Sequence, residues 1–235
     1  MTAQKNGSDM SASPALDPGC VLWSAPESER AGRPLIVLMH GWSYDERHLF
    51  GFAHLLPRGM VVASVRGPYA EAGGYAWFPS RGNPIGDPQP RVANDAAEAV
   101  LAWLDTLPPV SSTGLLGFSQ GGAMVLQLMR RHPGRFGYGV QLAGFVVHDS
   151  QPGDQVLART RPPVFWGRGE RDSVIPRQAI ARTQSWMAAH TSPEAVTYRG
   201  LGHDVAGLEV TDFAAFVARQ LPAGATRCTA EGQQA

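Results

Sequence analysis

The chain has 235 residues, 43% of them hydrophobic, and its 20 Lys plus Arg balance 20 Asp plus Glu. That is enough apolar material for one sizeable core, and zero formal net charge leaves no global field to hold nucleic acid or an anionic membrane. No apolar run reaches transmembrane length, so stable membrane insertion is not expected, and Cys20 and Cys228 lack the spacing of a disulfide framework or zinc site.

Residues 1–18 are small and polar, without the apolar stretch of a secretory signal, and read as a disordered arm. With so few cysteines, a reducing cytoplasm is the expected compartment. "CVLWSA" (20–25) reads as an edge strand and "PLIVLMH" (34–40) as a buried one. A helix is predicted over 45–56, then a buried strand over 60–65. Residues 66–91 are rich in Gly and Pro and have no period. Loops this long inside compact domains are usually functional or disordered, and Tyr69, Tyr75, Trp77 and Phe78 favour a packed loop. Beyond it come a helix (92–107), a strand (113–119), a helix (120–132) and strands over 137–144 and 162–167. A helix (177–190), a strand (194–200) and a last helix (206–221) follow, before a polar tail at 222–235.

Continuous apolar runs suggest strands covered on both faces, and their alternation with helices argues a mostly parallel sheet between two helical layers. One α/β domain over 19–221 is expected, with no repeat and no second domain.

Gly117-Phe118-Ser119-Gln120-Gly121 fits G-x-S-x-G between a predicted strand and a predicted helix. Such a serine sits in a sharp, strained turn that leaves no room for Cβ atoms two residues away on either side, and its hydroxyl is pushed out at the C-terminal edge of the sheet. The pattern alone is weak, since an N-capping serine in a glycine-rich turn would look the same. Its partners strengthen it. Asp172 follows the strand ending near 167, and His203 follows the next strand, giving the chain order Ser, acid, His. A serine hydroxyl needs a base to become a nucleophile, histidine titrates in the right range, and a carboxylate fixes its tautomer. Asp149, after an earlier strand, is a rival acid, and Asp172 is favoured because His203 comes one strand later. Asp204 reads as surface or capping; His48, His54, His132 and His190 fall in predicted helices, and His148 fits a loop role. Developing oxyanion charge needs two N–H donors: that of Gln120, after the nucleophile, and that of Trp42, in the loop after an early strand. His40 reads as a structural residue of that loop, and Gly41 as the residue that lets the backbone turn. Phe118, Trp77 and Phe78 are candidate substrate contacts.

The segments "LMHGWSYDERHLF", "VRGP" followed by "YAWF", "GFSQGGAM", "GRGERDSVIP" and "GLGHDV", in this order, resemble the carboxylesterase/phospholipase family of α/β hydrolases, which includes acyl-protein thioesterases and lies near the dienelactone hydrolases. The likeness spans roughly residues 34–221. It implies an α/β-hydrolase fold and a serine esterase without metal or cofactor, acting on a small-molecule ester as monomer or homodimer. By position it makes Ser119, Asp172 and His203 the triad and Trp42 and Gln120 the oxyanion donors. The bulk of Trp42, where relatives often carry a small or aliphatic residue, points to short or medium acyl chains. The alternatives are a thioesterase or lysophospholipase for longer chains, or an inactive hydrolase-fold binding protein.

Overall fold

The computed structural model describes residues 13–221. Its elements are β1 (Leu22–Trp23), β2 (Pro34–Met39), α1 (Arg47–Phe50), β3 (Val61–Val65), β4 (Tyr69–Glu71), β5 (Gly74–Ala76), α2 (Pro90–Asp105), β6 (Ser112–Phe118), α3 (Gln120–Arg131), β7 (Tyr138–Leu142), α4 (Asp154–Thr160), β8 (Pro163–Gly169), α5 (Arg177–His190), β9 (Ser192–Tyr198) and α6 (Leu208–Arg219). The main sheet has the order β1-β3-β2-β6-β7-β8-β9. Its strands are parallel except β1, which pairs antiparallel with β3.

The two-residue period of a strand explains the layers. In β2, Leu35, Val37 and Met39 enter one core cluster and Ile36 and Leu38 the other. The first cluster is closed by apolar residues of α2, α3 and α5, including Val100, Met124 and Met187. The second is closed by Leu49 of α1 and by Phe213, Phe216 and Val217 of α6. This is the α/β-hydrolase arrangement of a mostly parallel sheet between helices.

Topology decides where a site can form. The chain leaves β2 for β3 on one side and then crosses back to β6 on the other. The loops leaving β2 and β6 therefore diverge at the C-terminal edge, where open α/β sheets keep their ligand crevice.

The structure departs from the sequence reading at several places. Residues 45–56 do not form one helix; α1 stops at Phe50 with Gly51 as its C-cap, and a separate 3-10 turn spans Ala53–Leu55. β9 is a largely exposed edge strand instead of a buried one. The domain's packing begins before residue 19, because Leu16 is buried in the first core cluster. The expectations for residues 1–12 and 222–235 lie outside the described residues. Among the described residues, no helix is long and apolar enough to cross a membrane.

One buried carboxyl makes a testable liability. Glu209, in the first turn of α6, is fully buried, and neither of its oxygens has a hydrogen-bond partner among the described residues. It fits because β8 carries Gly167, where a Cβ would stand 2.1 Å from Oε1. Burial, reinforced by Asp204 and Asp212, pushes its pKa from 4.5 up to about 8. The folded state thus holds this proton more tightly than the unfolded chain. Its stabilising contribution is complete below pH 4.5 and is lost as the pH rises through about 8. Glu209→Gln removes that dependence. Its advantage in unfolding free energy should grow by at most about 1.4 kcal/mol per pH unit across this window. Urea denaturation of both proteins at several pH values reads the difference, and parallel pH profiles would contradict it.

Candidate active site

The site begins where β6 turns into α3. Ser119 lies between them with φ 54° and ψ −114°, a backbone conformation that costs a non-glycine residue about 1–3 kcal/mol. The surroundings enforce it. The Ser119 N–H donates to the Leu142 carbonyl of β7 at 2.8 Å. A Cβ at Gly117 would stand 2.1 Å from the Gly121 carbonyl oxygen, and one at Gly121 would stand 2.0 Å from that of Met39. The glycines on both sides are therefore demanded by backbone packed against backbone.

This turn brings Ser119 to residues far downstream. Its Oγ lies 2.8 Å from Nε2 of His203, and His203 Nδ1 lies 2.8 Å from Oδ2 of Asp172. The other oxygen of Asp172 accepts the N–H groups of Val174 at 2.8 Å and Ile175 at 3.1 Å. Burial pushes the Asp172 pKa up, but the His203 hydrogen bond and these N–H groups outweigh it and hold the carboxyl below its ordinary value. An ionised carboxylate can only accept, so Nδ1 carries the proton and Nε2 is left to accept from the serine hydroxyl. The arrangement can move a proton from Ser119 to His203 while Asp172 balances the resulting imidazolium.

Asp149 is exposed and occupied elsewhere. Its side chain accepts the Ser150 N–H, and its carbonyl accepts from the buried Arg130. Asp204 accepts the Val205 N–H. His54 and His190 bond carbonyls of their own turns through Nδ1. His132 is the C-cap of α3, and His148 is exposed. His48 stacks on Tyr44 at 3.9 Å and packs near Phe118, and this burial lowers its pKa.

The loop after β2 faces the serine. His40 is fully buried, and burial pushes its pKa down to about 4. Its Nε2 accepts the Gly67 N–H at 2.9 Å, which leaves the proton on Nδ1 to donate to the Gly41 carbonyl at 2.7 Å. It is thus a neutral structural pin. Gly41 is required by space more than by conformation, since a Cβ there would stand 2.8 Å from the Phe118 ring. Among the described residues no acceptor takes the Trp42 N–H. The Gln120 N–H is the first of α3, where no preceding turn offers a carbonyl.

A cavity of about 470 Å3 opens above Ser119, His203, Trp42 and Gln120. Phe78 and Phe118 form part of its wall, and Trp42, Tyr44, Ile85 and Val174 are the exposed apolar residues at its lining. Among the described residues, no Lys, Arg, Asp or Glu lines it. Trp77, expected to touch substrate, does not line the cavity. Its ring is fully buried, and Nε1 donates to the His40 carbonyl at 2.8 Å.

The 66–91 segment holds structure that its composition hides. β4 and β5 form a hairpin whose turn uses Ala72 and Gly73, both at positive φ. Glycine adopts that left-handed conformation more readily than alanine, so position 72 carries no turn signal and only Gly73-Gly74 marks the hairpin in the sequence. The hairpin docks on the loop after β2: Ser43 N–H donates to the Tyr75 carbonyl at 2.9 Å, and Tyr75 N–H donates to the Tyr44 carbonyl at 2.8 Å. Glu71 accepts from the Trp42 indole at 2.9 Å and from the Ser80 N–H at 3.1 Å. Arg66 pairs with Glu46 through two bonds of 2.6 Å and lies over the Tyr75 ring.

Comparison with known proteins gives the family and the fold. Residues 25–221 match the family model described as phospholipase/carboxylesterase. A probable carboxylesterase of Oryza sativa subsp. japonica is 27% identical over 158 residues, covering 63% of this chain and 59% of that protein. Carboxylesterase SOBER1 of Arabidopsis thaliana is 27% identical over 116 residues, covering 48% of this chain and 51% of that protein. The chain thus spans about half to three-fifths of the length of these curated relatives. The crystal structure of esterase PE8 shares the fold with a TM-score of 0.66 at 23% identity, covering 89% of this chain and 100% of that one. With most of its length matched by one family model, the chain belongs to the phospholipase/carboxylesterase family of α/β hydrolases.

Proposed function

We propose that the protein hydrolyses neutral carboxylic esters of short to medium acyl chain through an acyl-enzyme on Ser119. The observation that carries this reading is the unbroken relay from Asp172 through His203 to Ser119, with 2.8 Å at each step. His203 takes the hydroxyl proton as Ser119 attacks the ester carbonyl, and Asp172 stabilises the imidazolium. The N–H groups of Trp42 and Gln120 receive the developing oxyanion. His203 then returns the proton to the leaving alcohol, and water, activated by the same ring, releases the acid and restores the hydroxyl.

The lining supports a neutral substrate. An acyl group bearing its own carboxylate would lose water and find no Lys or Arg among the described residues of the cavity lining. The test compares p-nitrophenyl esters from acetate to octanoate with p-nitrophenyl hemisuccinate on purified protein. Turnover should be highest at or below the medium chains, and kcat/KM for the hemisuccinate should fall at least about 10-fold below that for the butyrate. Equal rates for the charged and neutral acyl groups would overturn the assignment of a neutral acyl site.

A second reading follows the exposed apolar residues Trp42, Tyr44, Ile85 and Val174 at the cavity lining. They would suit a longer acyl chain on a thioester or lysophospholipid. A steep rise in kcat/KM up to octanoate and beyond would favour it over the first.

A further inference from the structure

The two proposed oxyanion donors come from different elements, Trp42 from the loop after β2 and Gln120 from the start of α3, and a short chain of hydrogen bonds joins them. The Gln120 side chain is almost completely buried and does not point into solvent. Its Oε1 accepts the Trp77 N–H at 2.7 Å, and its Nε2 donates to the Phe78 carbonyl at 2.8 Å. The indole of that same Trp77 donates to the carbonyl of His40, two residues before Trp42. One carboxamide and one indole thus connect the first residue of α3 to the loop after β2. The hairpin bonds from Tyr75 to Ser43 and Tyr44 hold that loop from its other side.

We propose that the Gln120 carboxamide is a positioning residue that fixes the oxyanion donors relative to each other, with Trp77 as its link to the Trp42 loop. The inference rests on the reading of Trp42 and Gln120 as those donors. The backbone N–H of Gln120 acts on the substrate, whereas its side chain acts only through the 77–78 segment. Both carboxamide atoms are used, and they are used in opposite senses. A side chain of the same shape with a different hydrogen-bonding character should therefore fail. Donors aligned in advance stabilise transition-state charge without reorganisation, and small misplacements are costly.

The protonation state of a glutamate substituted here supplies a specific signature. In Gln120→Glu, a protonated carboxyl can accept from Trp77 and donate to Phe78, as the native side chain does. Once ionised, it sets an oxygen against the Phe78 carbonyl and has no proton to donate. Dividing the variant's kcat by that of the wild type at each pH removes the pH dependence that the two proteins share. The ratio should rise toward low pH and fall as the carboxyl ionises.

The experiment measures kcat and KM for p-nitrophenyl butyrate from pH 5 to 8 in the wild type, Gln120→Glu and the apolar, similarly shaped Gln120→Met. Active sites are counted with a fluorophosphonate, so that unfolded protein does not enter kcat. We expect Gln120→Met to lose about 10- to 100-fold in kcat with KM changed less than about threefold. We expect the Gln120→Glu ratio to recover at low pH. A Gln120→Met variant with wild-type kcat, or a Gln120→Glu ratio that is flat with pH, would overturn the proposal. Those results, obtained while the wild type turns over and labels at Ser119, would reject the brace alone. A wild type that neither turns over nor labels would reject the hydrolase reading on which the brace rests.

Discussion

Ser119→Ala is expected to lower kcat for p-nitrophenyl butyrate by about 10^6-fold, leaving only the residual rate that binding and the oxyanion donors supply. The size follows from what the hydroxyl does. In the proposed mechanism it forms the bond to the acyl carbon, and among the described residues lining the cavity no other hydroxyl bonds His203. KM should change little, because the acyl and alcohol groups still meet the same walls. The substitution also relieves nothing at φ 54°, since alanine meets the same backbone penalty as serine. Thermal unfolding should therefore stay close to the wild type, and any large loss of activity is chemical. A variant that retained even a hundredth of the wild-type kcat, measured on protein free of contaminating esterase, would exclude Ser119 as the nucleophile.

Asp172→Asn should cost about 10^4-fold in kcat. The surroundings of the carboxylate decide how the new amide sits. One oxygen faces the N–H groups of Val174 and Ile175, which need an acceptor. The amide oxygen takes that place, and the NH2 group turns toward His203 Nδ1. A donor there forces the ring proton onto Nε2, where it faces Ser119 and cannot accept the hydroxyl proton. The opposite orientation would keep the right tautomer but press NH2 against two backbone donors in a buried position. Combining Asp172→Asn with Ser119→Ala should add almost nothing to Ser119→Ala alone, because the carboxylate acts only through the serine's proton transfer. Multiplicative losses in the double variant would mean that Asp172 serves some other step.

Much of this site is legible in the sequence. The motif around Ser119 carries its own geometric requirement, and the glycines on either side meet it through backbone contacts of the kind the pattern implies. Asp172 and His203 can be found because each follows a parallel strand, and parallel strands end at one edge. The order of strands is not readable, but the site needs only their common direction.

What the sequence hides depends on side chains meeting across long intervals. Trp77 and Phe78 are adjacent aromatics in a loop without periodicity, and nothing in that run says which ring turns inward. The His40 carbonyl decides it by taking the Trp77 indole N–H. The carboxamide of Gln120 is equally silent, since a polar residue at a helix start usually faces water. α4 has only seven residues, too few for a helical period to stand out. The predicted helix over 45–56 has the right apolar spacing, but Gly51 falls where the first turn would have to continue. The docked hairpin within 66–91 is masked by Ala72, at a position where glycine would have announced the turn.

In the proposed mechanism Ser119 becomes covalently acylated, and intact-protein mass spectrometry reads that step without an intermediary assay. The purified wild type would be quenched in acid during turnover of p-nitrophenyl butyrate, and in parallel treated with a fluorophosphonate, with peptide mapping of each adduct. One phosphonyl group per chain is expected on Ser119, with any butyryl group on the same residue, and neither on the Ser119→Ala protein. An enzyme that turns over yet takes no phosphonyl group on Ser119, or an adduct mapped to any other residue, would contradict the mechanism.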